Sequence, residues 1–321
     1  MPAFTSTAPG KTILFGEHAV VYGEPALAVP VSALQARVII SPVITGQSGE
    51  IQIEAPDISL SSSLTELELD HPLRAAVNQV VGADNLDRIP ACQIQITSNI
   101  PLASGLGSSA AISSALIRAL SGFLGKTLTD EEVSQSAYEV EKIHHGTPSG
   151  IDNSVVVFQQ PVYYQKGEPL EFLSIKKPFR ILIAGSGSPG DTRKAVAQVR
   201  TNWTEDPERY GQYFSEIGKI TRKARELITS GEIQELGPLM RDNHKILREM
   251  GVSTPALDQL AQAAQLAGAL GAKLSGGGLG GYLIALVDDD VDPVREALLS
   301  NGAENVFLNT IGQPAPPARV G

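Results

Sequence analysis

Five side chains in this sequence have the types and neighbours that chemistry needs. Lys11 stands between a Pro9-Gly10 turn and the apolar run Ile13-Leu14-Phe15, and Gly16-Glu17-His18 sets an acid and an imidazole ahead of a second turn at Gly23. Surface lysines are mostly bland, and one between a turn and a buried strand is less so. Asp152 lies in His144-His145-Gly146-Thr147-Pro148-Ser149-Gly150-Ile151-Asp152-Asn153, which reads as a loop after a helix. An isolated loop acid is more often solvated or capping a turn than catalytic. Glu141 falls in the last turn of the preceding helix, where the macrodipole disfavours an acid, so it needs a compensating partner such as a cation. Adjacent His144 and His145 diverge on a helix and have no third ligand at metal-binding spacing. No G-x-S-x-G elbow and no H-E-x-x-H helix occurs, which speaks against a serine hydrolase and a zinc protease.

Three glycine signals compete for an anion. Gly125-Lys126-Thr127 imitates the end of a P-loop, but Leu120 occupies the place of the first glycine and the segment follows a helix. Gly105-Leu106-Gly107-Ser108-Ser109-Ala110 follows a strand and opens a helix, as a dinucleotide fingerprint does. The next segment, Thr129-Asp130-Glu131, starts another helix where that fingerprint needs a parallel strand. What survives is a glycine turn feeding a helix N-terminus, where free N–H groups and the dipole favour phosphate. The small run Ser108 to Ala111 lets a ligand approach the backbone. The third signal, Gly276-Gly277-Gly278-Leu279-Gly280-Gly281, leads into a strand and has more glycine than a tight turn needs. It suggests backbone lying against a ligand or another domain.

The elements that must position these groups follow from periodicity. Thr12–Phe15, Gln35–Ile40, Ile51–Glu54 and Gln93–Thr97 read as strands, the last alternating cleanly. A helix from Ser108 carries Ile112, Ala115, Leu116, Ala119, Leu120 and Phe123 on one stripe, and Thr129-Asp-Glu-Glu132 opens another with a capping box. After Pro178 come strand 180–184, three amphipathic helices near 208–230, 232–250 and 255–270, strands 272–274 and 282–287, helix 292–300 and strand 305–308. Taking the three helices as one layer, the order β-α-β-β-α-β is ferredoxin-like. The expected division is 1–177, 178–311 and a proline-rich, disordered tail 312–321.

Composition bounds the partners. The chain has 321 residues, with 35 acidic against 25 basic side chains and a net charge of −10, which disfavours nucleic acid or an anionic membrane as the main partner. The lone Cys92 cannot form an intrachain disulfide, and no signal-peptide layout or membrane-length apolar run occurs, so a soluble cytoplasmic protein is expected. Oligomeric state is left open, a homodimer included.

With these residues in view, three segments resemble the three motifs of the GHMP kinases: Pro9-Gly10-Lys11 through Gly16-Glu17-His18-Ala19-Val20-Val21-Tyr22-Gly23, Pro101 through Ala111, and Lys273 through Gly281. GEHAVVYG together with HGTPSGIDN resembles the mevalonate kinase branch. The resemblance implies an α+β, two-domain GHMP kinase fold, with a ribosomal protein S5-like N-terminal domain and a ferredoxin-like C-terminal domain. It implies ATP and Mg²⁺ as cofactors and mevalonate as the small-molecule substrate, phosphorylated at its 5-hydroxyl. Carried over by residue, Pro101, Leu102, Ala103, Ser104, Gly105, Leu106, Gly107, Ser108, Ser109, Ala110 and Ala111 would wrap the ATP phosphates, and Ser109 and Glu141 would hold Mg²⁺. Asp152 would accept the hydroxyl proton, with Lys11 beside it stabilising the developing alkoxide. Glu17, His18 and Thr192 would line the substrate, and Gly276, Gly277 and Gly278 would form the third glycine motif. Leu279 and Ser275 depart mildly from the family pattern, and no aromatic clamp for the adenine is evident between 41 and 70. The competing readings are a sibling kinase for phosphomevalonate or a sugar, diphosphomevalonate decarboxylase, a non-catalytic nucleotide-binding protein of the same fold, and an NAD(P) dehydrogenase.

Overall fold

The computed structural model describes residues 2–102, 104–145 and 148–312, without the side chains of 83, 84, 144 and 145. The expected disordered tail therefore lies outside the described residues beyond Gly312.

The first half builds one mixed sheet from β1 (Phe4–Phe15), β2 (Ala26–Pro42), β3 (Ile51–Ala55), β4 (Leu60–Ser63), β5 (Cys92–Ser98), β6 (Val162–Tyr164) and β7 (Glu171–Phe172). Its order is β4-β3-β5-β2-β6-β7, with β1 paired antiparallel to β2 and β3 parallel to β5. Where a Pro9-Gly10 turn is expected, β1 runs through both residues. The interruption is a register shift between Pro9 and Gly10, where Gly10 pairs with Val31 after Pro9 has paired with Gln35. Such an irregularity re-aims the side chain that follows it, here Lys11.

Helices α1 (Pro72–Val81), α2 (Ser108–Phe123), α3 (Asp130–His145) and α4 (Ile151–Phe158) belong to this half. α2 is buried nearly all round, which its alanines and serines permit: Ala110, Ala111, Ser113, Ser114, Ala115 and Ala119 are all buried. α3 opens on the expected capping box, with Thr129 Oγ1 accepting from the Glu132 amide (3.2 Å) and Glu132 Oε2 from the Thr129 amide (2.8 Å).

The second half contains β8 (Phe179–Gly185), α5 (Thr192–Glu205), α6 (Pro207–Ser230), α7 (Leu236–Glu249), α8 (Pro255–Leu266), β9 (Gly271–Ser275), β10 (Tyr282–Val287), α9 (Asp292–Ser300) and β11 (Asn305–Ile311). The sheet order β11-β8-β10-β9 places the first strand beside the third and fourth, as the ferredoxin-like pattern requires. Two expectations are corrected. Asp152 is in the first turn of α4 and not in a loop, because the β-branched run Val155-Val156-Val157 hid a short helix. Four helices precede β9 in this half and not three, since α5 buries only Ala195 and Val199 and so carries almost no apolar stripe.

Candidate active site

Lys11 reaches α4 from β1. Its amide donates to the Leu106 carbonyl (2.9 Å), and its Nζ lies 3.0 Å from Asp152 Oδ1. The lysine side chain is 8 % exposed and the aspartate 36 %, so the cation is enclosed while the carboxylate faces open space. Asp152 also sits where the α4 dipole favours an anion.

The glycine loop passes directly over Lys11. Gly107, in the left-handed region at φ +77°, is the N-cap of α2, and a Cβ there would fall 2.7 Å from Lys11 Cγ. Only glycine permits both the turn and this approach. The first turn of α2 then presents Ser109, whose hydroxyl donates to Glu141 Oε1 at 2.5 Å. Glu141 is 3 % exposed, near the end of α3, and this hydroxyl is one of its partners. Of the predicted phosphate loop, Pro101, Leu102, Ser104, Gly105, Leu106, Gly107, Ser108, Ser109, Ala110 and Ala111 are described, while Ala103 lies outside the described residues.

The third glycine segment closes the site from the second half. Its Gly277 carbonyl accepts from His18 Nε2 at 2.8 Å, which fixes the proton on that ring nitrogen. Gly277 also meets the start of α5: a Cβ there would lie 2.7 Å from both Cα and Oγ1 of Thr192. Burial pushes the His18 imidazole below its usual range, so the ring is neutral at pH 7. His18 itself takes a left-handed conformation (φ 61°), an uncommon one for a non-glycine residue.

Glu17, expected to line the substrate pocket, has its side chain 1 % exposed and paired with Lys273 of β9. Lys273 belongs to the third motif in sequence, but the motif gives it no role. Its signal was a lysine inside Gly271-Ala272-Lys273-Leu274-Ser275, a strand buried throughout. Thr12 and Ser275 were also missed: their hydroxyl oxygens lie 2.7 Å apart across the two halves, and Ser275 donates to the Ile13 carbonyl at 2.8 Å. His144, His145, Gly146 and Thr147 contribute no described side chain.

A paired lysine and carboxylate beside a glycine-lined helix N-terminus, with a hydroxyl and a second carboxylate one helix away, suit transfer of a phosphoryl group. The family comparisons agree. A model of the GHMP kinases N terminal domain matches residues 73–160, and one of the GHMP kinases C terminal region matches 224–304. The mevalonate kinase of Thermococcus sibiricus is 37 % identical, over 91 % of this chain and 92 % of that protein. That of Pyrococcus horikoshii is 39 % identical, over 88 % of each. Among solved structures, L. major mevalonate kinase in complex with R-mevalonate matches with a TM-score of 0.79 and 29 % identity, over 97 % of each chain. With motifs, two-domain topology and near full-length relatives in agreement, the chain belongs to the GHMP kinase family, in its mevalonate kinase branch.

Proposed function

We propose that this enzyme transfers the γ-phosphoryl group of ATP to the 5-hydroxyl of mevalonate, with Asp152 accepting the hydroxyl proton. The observation that carries the reading is the 3.0 Å Lys11–Asp152 pair, a carboxylate open on one side and held by a buried cation on the other. Relatives named mevalonate kinase over nearly the whole length support the substrate.

Membership of a kinase family brings ATP use. The loop Pro101–Ala111 receives the phosphates on backbone N–H groups at the start of α2. Ser109 and Glu141 fit Mg²⁺, since a hydroxyl and a carboxylate stand together as hard oxygen donors. Among the described residues no group of three or more His, Cys, Asp or Glu gathers as a cage. Ser109 and Glu141 would hold the ion, and it would supply positive charge beside the phosphates. When bound, Mg²⁺ neutralises charge on the transferring phosphates. Lys11 orients Asp152 and offsets the charge that develops on the attacking oxygen. His18 and Thr192 border the substrate from the first motif and from α5, and the third glycine segment lies between them.

We place the division between the two domains at 177/178, between β7 and β8. No helix among the described residues is long and apolar enough to cross a membrane. Cys92 is buried with its thiol pushed up to about 12, an inert group, and a cytoplasmic location is proposed from the lone cysteine and the relatives.

The test is ADP release over mevalonate, phosphomevalonate, homoserine and galactose. Release dependent on mevalonate supports the reading, and release with only another substrate overturns it.

A further inference from the structure

Several polar links cross the seam between the first motif and the β9 strand with its glycine segment. Three are neutral: Thr12 to Ser275, Ser275 to the Ile13 carbonyl, and His18 to the Gly277 carbonyl. Another is the Glu17–Lys273 ion pair, with side chains 1 % and 0 % exposed. Lys273 Nζ also donates to the Leu274 carbonyl (2.7 Å) and stands 5.8 Å from the centroid of the Phe15 ring.

Such a pair is a poor way to hold a seam together. Removing two charges from water costs several kcal/mol per ion, and apolar residues of similar volume often stabilise as well or better. What an ion pair adds is direction, because charge attraction ties the turn after β1 to β9, while the donation to Leu274 within β9 fixes where the lysine head lies. The pair stands beside the groups that need placing. Glu17 immediately precedes His18, and Lys273 is four residues before Gly277, the residue whose carbonyl His18 binds.

We propose that Glu17 and Lys273 are positioning residues: their buried pair sets the third glycine segment against the first motif, and neither touches substrate. The kinetic part of this inference rests on the phosphotransfer reading; the structural part does not.

The experiment compares Glu17→Gln, Lys273→Met and the double variant with the wild-type full chain. It reads urea unfolding midpoints, hydrogen exchange of the peptide 275–281, and kcat and KM with ATP and mevalonate. Each single variant strands a buried charge, so its midpoint falls and exchange through 275–281 quickens. In the double variant the midpoint returns to the wild-type value, while exchange stays about tenfold or more faster and kcat about tenfold or more lower, the effect of a displaced catalytic constellation. Recovery of exchange and kcat together with the midpoint overturns the proposal in favour of a purely structural pair. A rise confined to the KM for mevalonate in Glu17→Gln, with wild-type kinetics in Lys273→Met, overturns it in favour of a substrate ligand. Glu17→Asp decides the matter if the double variant does not fold. It keeps the charge but withdraws it by one methylene, and a kcat loss at an unchanged midpoint supports positioning while wild-type kcat overturns it. Should the wild-type chain fail to turn over mevalonate, the phosphotransfer reading fails, and the exchange data still decide the role of the pair.

Discussion

At the scale of single residues the proposed chemistry rests on Asp152 and Glu141, which the fold places at opposite helix ends. Asp152 is in the first turn of α4, where the dipole welcomes its charge, and Lys11 holds one of its oxygens. Asp152→Asn should lower kcat by about 10²- to 10⁴-fold, the usual contribution of a general base. Calorimetry with a non-hydrolysable ATP analogue should show affinity nearly unchanged; wild-type kcat in the ADP-release assay would remove Asp152 from the mechanism. Glu141 stands where the dipole of α3 is unfavourable, is 3 % exposed, and receives the Ser109 hydroxyl. Glu141→Gln should therefore raise the Mg²⁺ concentration for half-maximal rate, and an unchanged titration counts against its ligand role.

At the scale of elements, the arrangement depends on a strand and a helix start that touch. β1 carries Lys11 beneath the loop that opens α2, and Gly107 is the point of contact. Gly107→Ala would force both a strained φ and a collision with the Lys11 side chain, costing about 1–3 kcal/mol in backbone terms alone. Its expected signature is a kcat loss of about tenfold or more with a lowered thermal midpoint. An alanine variant with wild-type values of both would show that the loop can move away from Lys11. The same elements show what local patterning can reveal. α2 and α3 were readable because their stripes and capping signals lie within a few residues of one another. α4 was hidden by three consecutive valines, and α5 by a composition that leaves two buried side chains in 14 residues.

At the scale of the whole molecule, two buried imidazoles link stability to pH. Burial lowers the pKa of His18 and of His244 from 6.5. His244 Nδ1 accepts from the Leu274 amide at 3.2 Å, and its Nε2 lies 3.1 Å from Asp258 Oδ1; Lys273 and Arg248 also face it and disfavour its protonation. A histidine kept neutral in the folded state is protonated first in the unfolded chain. Its contribution is therefore full above pH 6.5 and is lost as pH falls toward the folded-state pKa. The urea midpoint should drop between pH 7.5 and 5.5, and His244→Asn should drop less across the same interval. An equal drop in both proteins would exclude His244 as a source.

The sequence by itself determined the kinase family and the loop that opens α2, and it nominated Lys11, Ser109, Glu141 and Asp152 for the proposed chemistry. Those signals are local: glycines, caps and apolar spacing act over a few residues of chain. Only the tertiary structure decided that Pro9-Gly10 is an irregularity inside a strand, that Asp152 begins a helix, and that Glu17 spends its charge on Lys273. The last contact joins residues separated by 256 positions, and the neighbouring Thr12–Ser275 link by 263. Contacts at such separations follow from strand register and from how two sheets pack. No short-range pattern records that, and a glutamate beside a histidine looks the same in sequence whether it faces a substrate or a buried lysine.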